Sequence, residues 1–266
     1  MESRFVYRGN ACAAGGMFTH VLEDKCARIL PVQASVSVPV TGGAGRSSYR
    51  GYKFRAGKLD LFMTSGLKAE VTAKVDAKTN LFTTRTFAEA SRVQVYGGFR
   101  VDYVKGELES ESEGREEQPP IRTGDCGISE IQLGKRVVKV SIDKETFRKA
   151  ATKSELERLY AGDPEFRRAN YWRFNAESVE SKEIPSPKGI IVASIVNGLE
   201  LVGEDDPDIK ISGYEISWKG FGRIILGEIL ITDLYRRLTM VRLQLGSPIG
   251  GRAAIGEVET NGHIVP

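Results

Sequence analysis

The stretch Arg92–Lys105 reads RVQVYGGFRVDYVK, two runs of alternating apolar and polar residues joined by Gly97 and Gly98. Alternation with a period of two is typical of a half-buried β-strand, because successive side chains point to opposite faces of a sheet. A Gly-Gly pair between two such runs predicts a β-hairpin, because the tight turn requires positive φ angles that glycine adopts without strain. This stretch therefore indicates an antiparallel β fold.

The same alternation recurs along much of the chain. Further candidate strands cover 34–40, 68–75, 81–87, 135–142, 190–196, 210–218, 223–231, 238–245 and 253–258. A set of about ten strands is more than one antiparallel sheet holds without folding over or closing. We therefore predict a single all-β or β-dominated domain over residues 1–266, either an antiparallel sandwich or a flattened barrel with one short helical insertion.

The helical insertion is predicted at 143–170, where the period of two is lost. Asp143 can cap its start, and Ser154 with Glu157 has the spacing of a capping box. Gly162 and Pro164 are typical of a helix end. The segment predicts two short helices laid across a sheet.

Two further segments are predicted to lie outside the sheets. Residues 1–20 are interpreted as an N-terminal arm, in which Phe5 and Tyr7 would add as a strand to a neighbouring copy, because small residues follow them. Residues 105–120 are interpreted as an acidic loop. Within 105–117, six glutamates against two basic residues give a net charge of −4, and the assigned surface residues are Glu107, Glu109, Glu111 and Glu113.

A basic segment lies at 46–58. Its cations are Arg46, Arg50, Lys53, Arg55 and Lys58, with Tyr49, Tyr52 and Phe54 between them. Interleaved cations and aromatics are typical of surfaces that bind single-stranded nucleic acid. The simpler interpretation is a strand with Tyr52 and Phe54 packed inward and Lys53 and Arg55 in water. A net charge of only +3 favours the simpler interpretation over a nucleic-acid partner.

The composition contains few of the residues that commonly act in catalysis or metal binding. With only two histidines, poly-histidine metal sites are excluded, and we predict no metal, no cofactor and no catalytic residue. Cys126 as a nucleophile would need His20 or His263 as its base, and His263 lies three residues from the C-terminus. Cys12 and Cys26 are interpreted as small hydrophobic residues, with a disulfide between them as the alternative. The acidic run 204–208 is interpreted as a solvated turn, because it lacks the spacing of a calcium-binding loop.

These patterns favour a non-enzymatic, self-assembling structural protein. The basic segment of one copy would meet the acidic segment of another, and such head-to-tail contacts give rings or filaments. One alternative is a carbohydrate- or lipid-binding module that uses Trp218 with Tyr214 or Trp172. Another is a hydrolase whose two carboxylates come from separate strands, about 5 to 10 Å apart.

The cellular location is predicted from the lack of a recognisable targeting signal. Neither a secretory leader nor a membrane span is recognisable, because the longest apolar stretch, 189–202, is interrupted by polar residues. A cytoplasmic protein is the default expectation, and leaderless export is the alternative.

Two segments resemble a family of uncharacterised bacterial proteins. The first is the C-terminal run 238–251, reading LTMVRLQLGSPIGG, together with GEVE at 256–259 and Asn261-Gly262. The second runs from Ile29 through the VPVTGG motif at 38–43, which is similar to the N-terminal part of that family. The resemblance implies a bacterial origin, and it implies no activity, ligand or site residue.

Overall fold

The structure is a computed structural model that describes residues 4–19, 27–114, 116, 118–173, 190–204, 206–246 and 249–265. These residues form two antiparallel sheets, one of eight and one of nine strands, with three short helices. The predicted β-dominated fold is confirmed, and both sheets are open, as in the sandwich and not the barrel alternative. His20 and Cys26 lie outside the described residues. Cys12 is a free cysteine, so the alternative of a disulfide between Cys12 and Cys26 was wrong.

The eight-stranded sheet contains both ends of the described chain. Its strands are β1 (Arg4–Thr19), β2 (Arg28–Ser37), β11 (Ile191–Ser194), β13 (Ile209–Ser212), β14 (Glu215–Trp218), β15 (Gly222–Ile231), β16 (Arg236–Leu245) and β17 (Gly250–Val265). Their order is β13-β14-β15-β16-β17-β1-β2, with β11 paired to β15.

The nine-stranded sheet is built mainly from successive hairpins. Its strands are β3 (Gly43–Ala56), β4 (Leu59–Asp76), β5 (Leu81–Val95), β6 (Phe99–Ser112), β7 (Ile121–Thr123), β8 (Gly127–Ile128), β9 (Ile131–Leu133), β10 (Arg136–Ile142) and β12 (Val196–Val202). Their order is β12-β10-β9-β6-β5-β4-β3, and β7 and β8 pair with β6.

The hairpin predicted from residues 92–105 joins β5 to β6. Val95 pairs with Phe99, so the connecting loop has three residues, of which Gly97 and Gly98 have φ angles of 94° and 96°. The predicted turn chemistry is therefore confirmed, while the loop is one residue longer than a two-residue Gly-Gly turn. Because side chains alternate along a strand, that one residue decides which side chains lie opposite each other.

The predicted N-terminal arm is wrong, because residues 4–19 form β1, an internal strand paired to both β17 and β2. Its small residues serve close packing between the sheets. Ala13 and Ala14 are fully buried, and a Cβ atom at Gly9 would lie 2.8 Å from Val71 Cγ1 on the facing sheet. A larger side chain would push the sheets apart.

The core lies between the two sheets. Phe18 of β1 stacks on Phe54 of β3, with ring centroids 5.9 Å apart. Phe99, Leu108 and Leu243 are fully buried in the same hydrophobic cluster. Burying a side chain of this size contributes about 1.5 to 3 kcal/mol, so the interior of the sandwich dominates the stability of the fold.

The helical insertion lies where it was predicted, but it contains three short helices and not two. They are α1 (Thr146–Lys149), α2 (Lys153–Gly162) and α3 (Pro164–Asn170), followed by a 3-10 turn, and Pro164 begins a helix where it was predicted to end one. Its capping box is made by Thr152 and Glu155, and the prediction of Ser154 and Glu157 was wrong. Thr152 has the extended backbone of a cap residue and accepts a hydrogen bond from the Glu155 N–H, so α2 begins two residues earlier.

Candidate functional site

The first part of the segment predicted as an acidic loop, residues 105–112, instead forms the second half of β6. Its glutamates at 107, 109 and 111 share one face of the strand with Lys105, while Leu108 and Ser110 face the opposite way and are buried. The alternation of glutamate with other residues was itself a strand pattern. The predicted loop was therefore wrong for 105–112, whereas the described residues of 113–120 lie outside any strand, between β6 and β7. Of the four predicted glutamates only Glu113 lies beyond the end of β6.

Glu107 is the most unusual of these residues, because it is a carboxylate that is only 1% exposed. The turn after β7 covers it. The Gly124 N–H donates to the Glu107 carbonyl over 3.0 Å, and the Cys126 thiol accepts from the Glu107 N–H over 3.4 Å. A Cβ atom at Gly124 would lie 2.6 Å from Glu107 Cγ. A glycine is therefore required at this position if the Glu107 side chain is to keep its place.

Arg85 of β5 binds one oxygen of Glu107. Its Nε donates to Oε1 over 2.6 Å, and its Nη2 lies 2.5 Å from the same oxygen. Glu107 Oε2 has no hydrogen-bond partner among the described residues, and Lys105 Nζ approaches it only to 3.6 Å. The charge of Glu107 is therefore balanced, while one buried acceptor lacks a donor.

Glu109 lies beside Glu107 and also contacts Arg85, with 3.3 Å between Arg85 Nε and Glu109 Oε1. Burial raises the pKa of Glu109, and the neighbouring carboxylate of Glu107 raises it further. Glu111 makes a longer ion pair with Arg122 of β7, at 4.0 Å. The acidic segment is thus paired with cations of its own chain, which weakens the prediction that it meets another copy.

These residues form the floor of a cleft of about 770 Å³. Its lining comprises Arg85, Glu107, Glu109, Glu111, Arg122, Thr123, Gly124 and Asp125 together with Lys144, Glu145, Arg148 and Lys149 from α1 and the turn before it. The lining contains five cations and five carboxylates, so the cleft has no net charge. It is suited to a polar ligand held by hydrogen bonds, and neither a polyanion nor a polycation is favoured.

Two buried arginines hold the wall of the cleft in place. Arg236 of β16 donates to the carbonyls of Phe147 and Ala150, over 3.2 and 2.7 Å, and so caps the end of α1. Burial lowers the pKa of Arg236 to about 9. Arg173 donates to Asp143 Oδ2 over 2.8 Å just before α1. The wall is therefore fixed at both ends by residues distant in the sequence.

The predicted basic residues lie along β3, at the edge of the nine-stranded sheet, and on the turn that follows. Tyr52 and Phe54 pack against the core, and Lys53 and Arg55 are exposed and both bind Asp60, as the simpler interpretation predicted. Arg46 pairs with Glu70 over 3.1 Å. Arg50 and Lys58 have no ion pair with any described residue.

The remaining predicted residues serve packing. In β1, Phe5 stacks on Phe82 with centroids 4.1 Å apart, and Tyr7 is buried, so neither is available to a neighbouring copy. The residues of the aromatic alternative also make contacts within the fold. Trp218 stacks on Phe221 and Tyr214 is buried, while the Trp172 indole N–H donates to the Ala169 carbonyl.

Among the described residues, no group of three His, Cys, Asp or Glu side chains is placed to hold a metal ion. No helix in the described ranges is long and apolar enough to cross a membrane.

A family profile matches residues 5–232, which is most of the chain. The chain belongs to DUF8256, a family described as a domain of unknown function. The prediction of an uncharacterised family is confirmed, although the C-terminal run that suggested it lies beyond the matched residues. Neither a search of curated proteins nor a search of solved structures finds a match.

Sequence reasoning missed Arg85 and Gly124, which determine how Glu107 is held. A signal for Arg85 was present, because counting back from the β5–β6 turn with a three-residue loop places Arg85 opposite Glu109. No comparable signal pointed to Gly124, because its role depends on the short strand β7, which pairs antiparallel with β6.

Proposed function

We propose that this DUF8256 protein binds a neutral, polyhydroxylated ligand of the carbohydrate class in the cleft above β6. The observation that carries the proposal is Glu107, a buried carboxylate with one oxygen paired to Arg85 and the other without a donor. A buried acceptor without a partner costs about 1 to 3 kcal/mol, and a ligand hydroxyl that displaces the side chains covering Glu107 and donates to it recovers that energy.

The charges of the cleft favour a hydroxyl over an ammonium group as this donor. Arg85 and Lys105 already lie beside Glu107, so a further cation would be repelled by both. A sugar hydroxyl donates one hydrogen bond without adding charge, and its oxygen accepts another from an arginine or lysine. The cleft offers cations for that purpose at Arg122 and Arg148.

The lining contains no aromatic residue, so a sugar would be bound by its hydroxyl groups and not by stacking on a ring. This differs from the carbohydrate-binding surface predicted from the tryptophans. The same ligand class is therefore proposed at a different place in the fold.

The geometry supports binding better than hydrolysis. Glycosidases need about 5 to 10 Å between their two carboxylates. Arg85 Nε lies 2.6 Å from Glu107 Oε1 and 3.3 Å from Glu109 Oε1, so one guanidinium group contacts both carboxylates. The arginine therefore occupies the space between the two groups, where a glycosidic bond would have to lie.

A thermal-shift panel of neutral monosaccharides and short glycans tests the proposal. A ligand present at 100 times its Kd stabilises the folded protein by about 2.7 kcal/mol, which is a clear rise in Tm. We expect at least one neutral glycan to raise the Tm in a concentration-dependent manner. If no member of a broad panel moves the Tm at millimolar concentration, the proposed ligand class is wrong.

A further inference from the structure

We infer that a second copy of this chain docks head-to-tail on the sandwich, with the β2–β3 side of one molecule against the β12–β13 side of the next. The inference is independent of the cleft. It replaces the predicted contact between the basic and acidic segments with two surfaces at opposite sides of the fold.

On each of two opposite sides of the sandwich, the edge strand of one sheet lies beside the edge strand of the other. On one side, β2 and β3 are the edge strands, and Val36 of β2 lies so close to Gly45 of β3 that a Cβ atom at Gly45 would be 2.4 Å from Val36 Cγ2. On the other side, β12 and β13 are the edge strands and follow one another in the sequence. In the part of the chain that the structure describes, each of these strands is paired on one side only, which leaves backbone donors and acceptors for another strand.

Large apolar side chains are exposed on both sides. Ile29 and Val32 on β2 are 69% and 59% exposed, and Tyr49 on β3 is 49% exposed. Val202 on β12 and Ile211 on β13 are 39% and 36% exposed. Edge strands with exposed apolar residues favour pairing with another chain.

In the described part of the chain, the charges that lack ion-pair partners are positive on the β2–β3 side and mainly negative on the β12–β13 side. Contact between unlike sides is therefore favoured over contact between like sides. Arg50 and Lys58, on and next to β3, are exposed and have no ion pair among the described residues. Glu200 and Glu204, on and next to β12, are likewise exposed and without an ion pair in the described ranges, and they outnumber the one such cation on β13, Lys210. Two copies that met through β3 alone would bring cations together, whereas β3 against β12 brings opposite charges together. Contacts between different surfaces propagate as filaments or close as rings.

A charge-reversal experiment on the full chain tests this inference. Arg50→Glu with Lys58→Glu makes the basic side acidic, and Glu200→Lys with Glu204→Lys makes the acidic side basic. By sedimentation velocity over a concentration series, we expect the wild type to form growing oligomers that dissociate at high salt. Each double variant should weaken association by about tenfold or more.

An equimolar mixture of the two double variants is the decisive sample. In the mixture, the acidic β3 side of one variant faces the basic β12 side of the other, so association should return to the wild-type level. Lys78→Glu, on the exposed turn after β4, is the control and should leave association unchanged, and melting curves check that all variants fold. A wild type that stays monomeric, or a mixture that associates no better than its components, overturns the inference.

Discussion

Arg85 holds Glu107 by a single oxygen: Nε donates to Oε1 over 2.6 Å, while Oε2 is buried without a donor among the described residues. The pair comes from adjacent strands of one hairpin, and the turn at Gly124 closes over it. Most buried carboxylates in folded proteins use both oxygens. The incomplete pairing is what distinguishes this cleft from an ordinary surface ion-pair network.

Asp143 is expected to stabilise the helical insertion. Burial opposes its charge, but hydrogen bonds from Thr146, Arg173 and the Glu145 backbone outweigh burial and lower the pKa of Asp143 to about 2. Asp143→Asn should therefore reduce the free energy of unfolding by about 2 kcal/mol at pH 7. Urea unfolding measures the loss.

The loss of stability caused by Asp143→Asn should depend on pH. Because the folded-state pKa of Asp143 is lowered, its contribution is full above the unfolded value of about 4 and disappears as the pH falls to about 2. The difference between wild type and Asp143→Asn should shrink over that range. Asp163→Asn, at an exposed cap of α3, is the control and should reduce the free energy of unfolding by about 1 kcal/mol at most. An Asp143 effect that is independent of pH contradicts the account.

Thr123→Val is expected to stabilise the protein. The Thr123 hydroxyl is buried and has no hydrogen-bond partner among the described residues, so replacing it with a methyl group of similar size removes an unfavourable burial. The gain should be about 1 kcal/mol in the free energy of unfolding. Thr239→Val should have the opposite sign, because the Thr239 hydroxyl donates to Glu257 over 3.1 Å. Equal effects of the two variants would show that hydroxyl pairing does not decide their stability.

Alanine substitutions at two neighbouring glycines distinguish the cost of backbone strain from the cost of a steric clash. Gly220 has a φ of 78° with open space around its Cα, and Gly222 has a φ of 131° with Gln244 O only 2.0 Å from the position of a Cβ atom. Gly220→Ala should cost about 1 to 2 kcal/mol from the backbone alone. Gly222→Ala should cost clearly more, because β15 must move away from β16. Thermal unfolding of both variants checks the order, and equal costs would refute it.

The strand pattern and turn glycines were sufficient to predict the β-rich fold, the β5–β6 hairpin and the position of the helical insertion. The errors have physical causes. Small residues at 11–16 resemble a flexible linker, and only the pairing of β1 with β17 shows that they permit close packing, since a Cβ atom at Gly16 would lie 2.5 Å from the Arg252 carbonyl oxygen. Glutamates at 107–111 resemble a loop because their cations, Arg85 and Arg122, are distant in the sequence and are brought close by strand pairing.

The most direct test of the cleft is calorimetric titration of a glycan from the thermal-shift panel into wild type and Glu107→Gln. In the variant, Arg85 requires the amide oxygen to face it, which places the NH2 group where Oε2 was and turns an acceptor into a donor. We predict that Glu107→Gln weakens binding by about tenfold or more, whereas Glu89→Gln, outside the lining, does not. Equal affinity for wild type and Glu107→Gln would contradict the proposal that Glu107 binds the ligand.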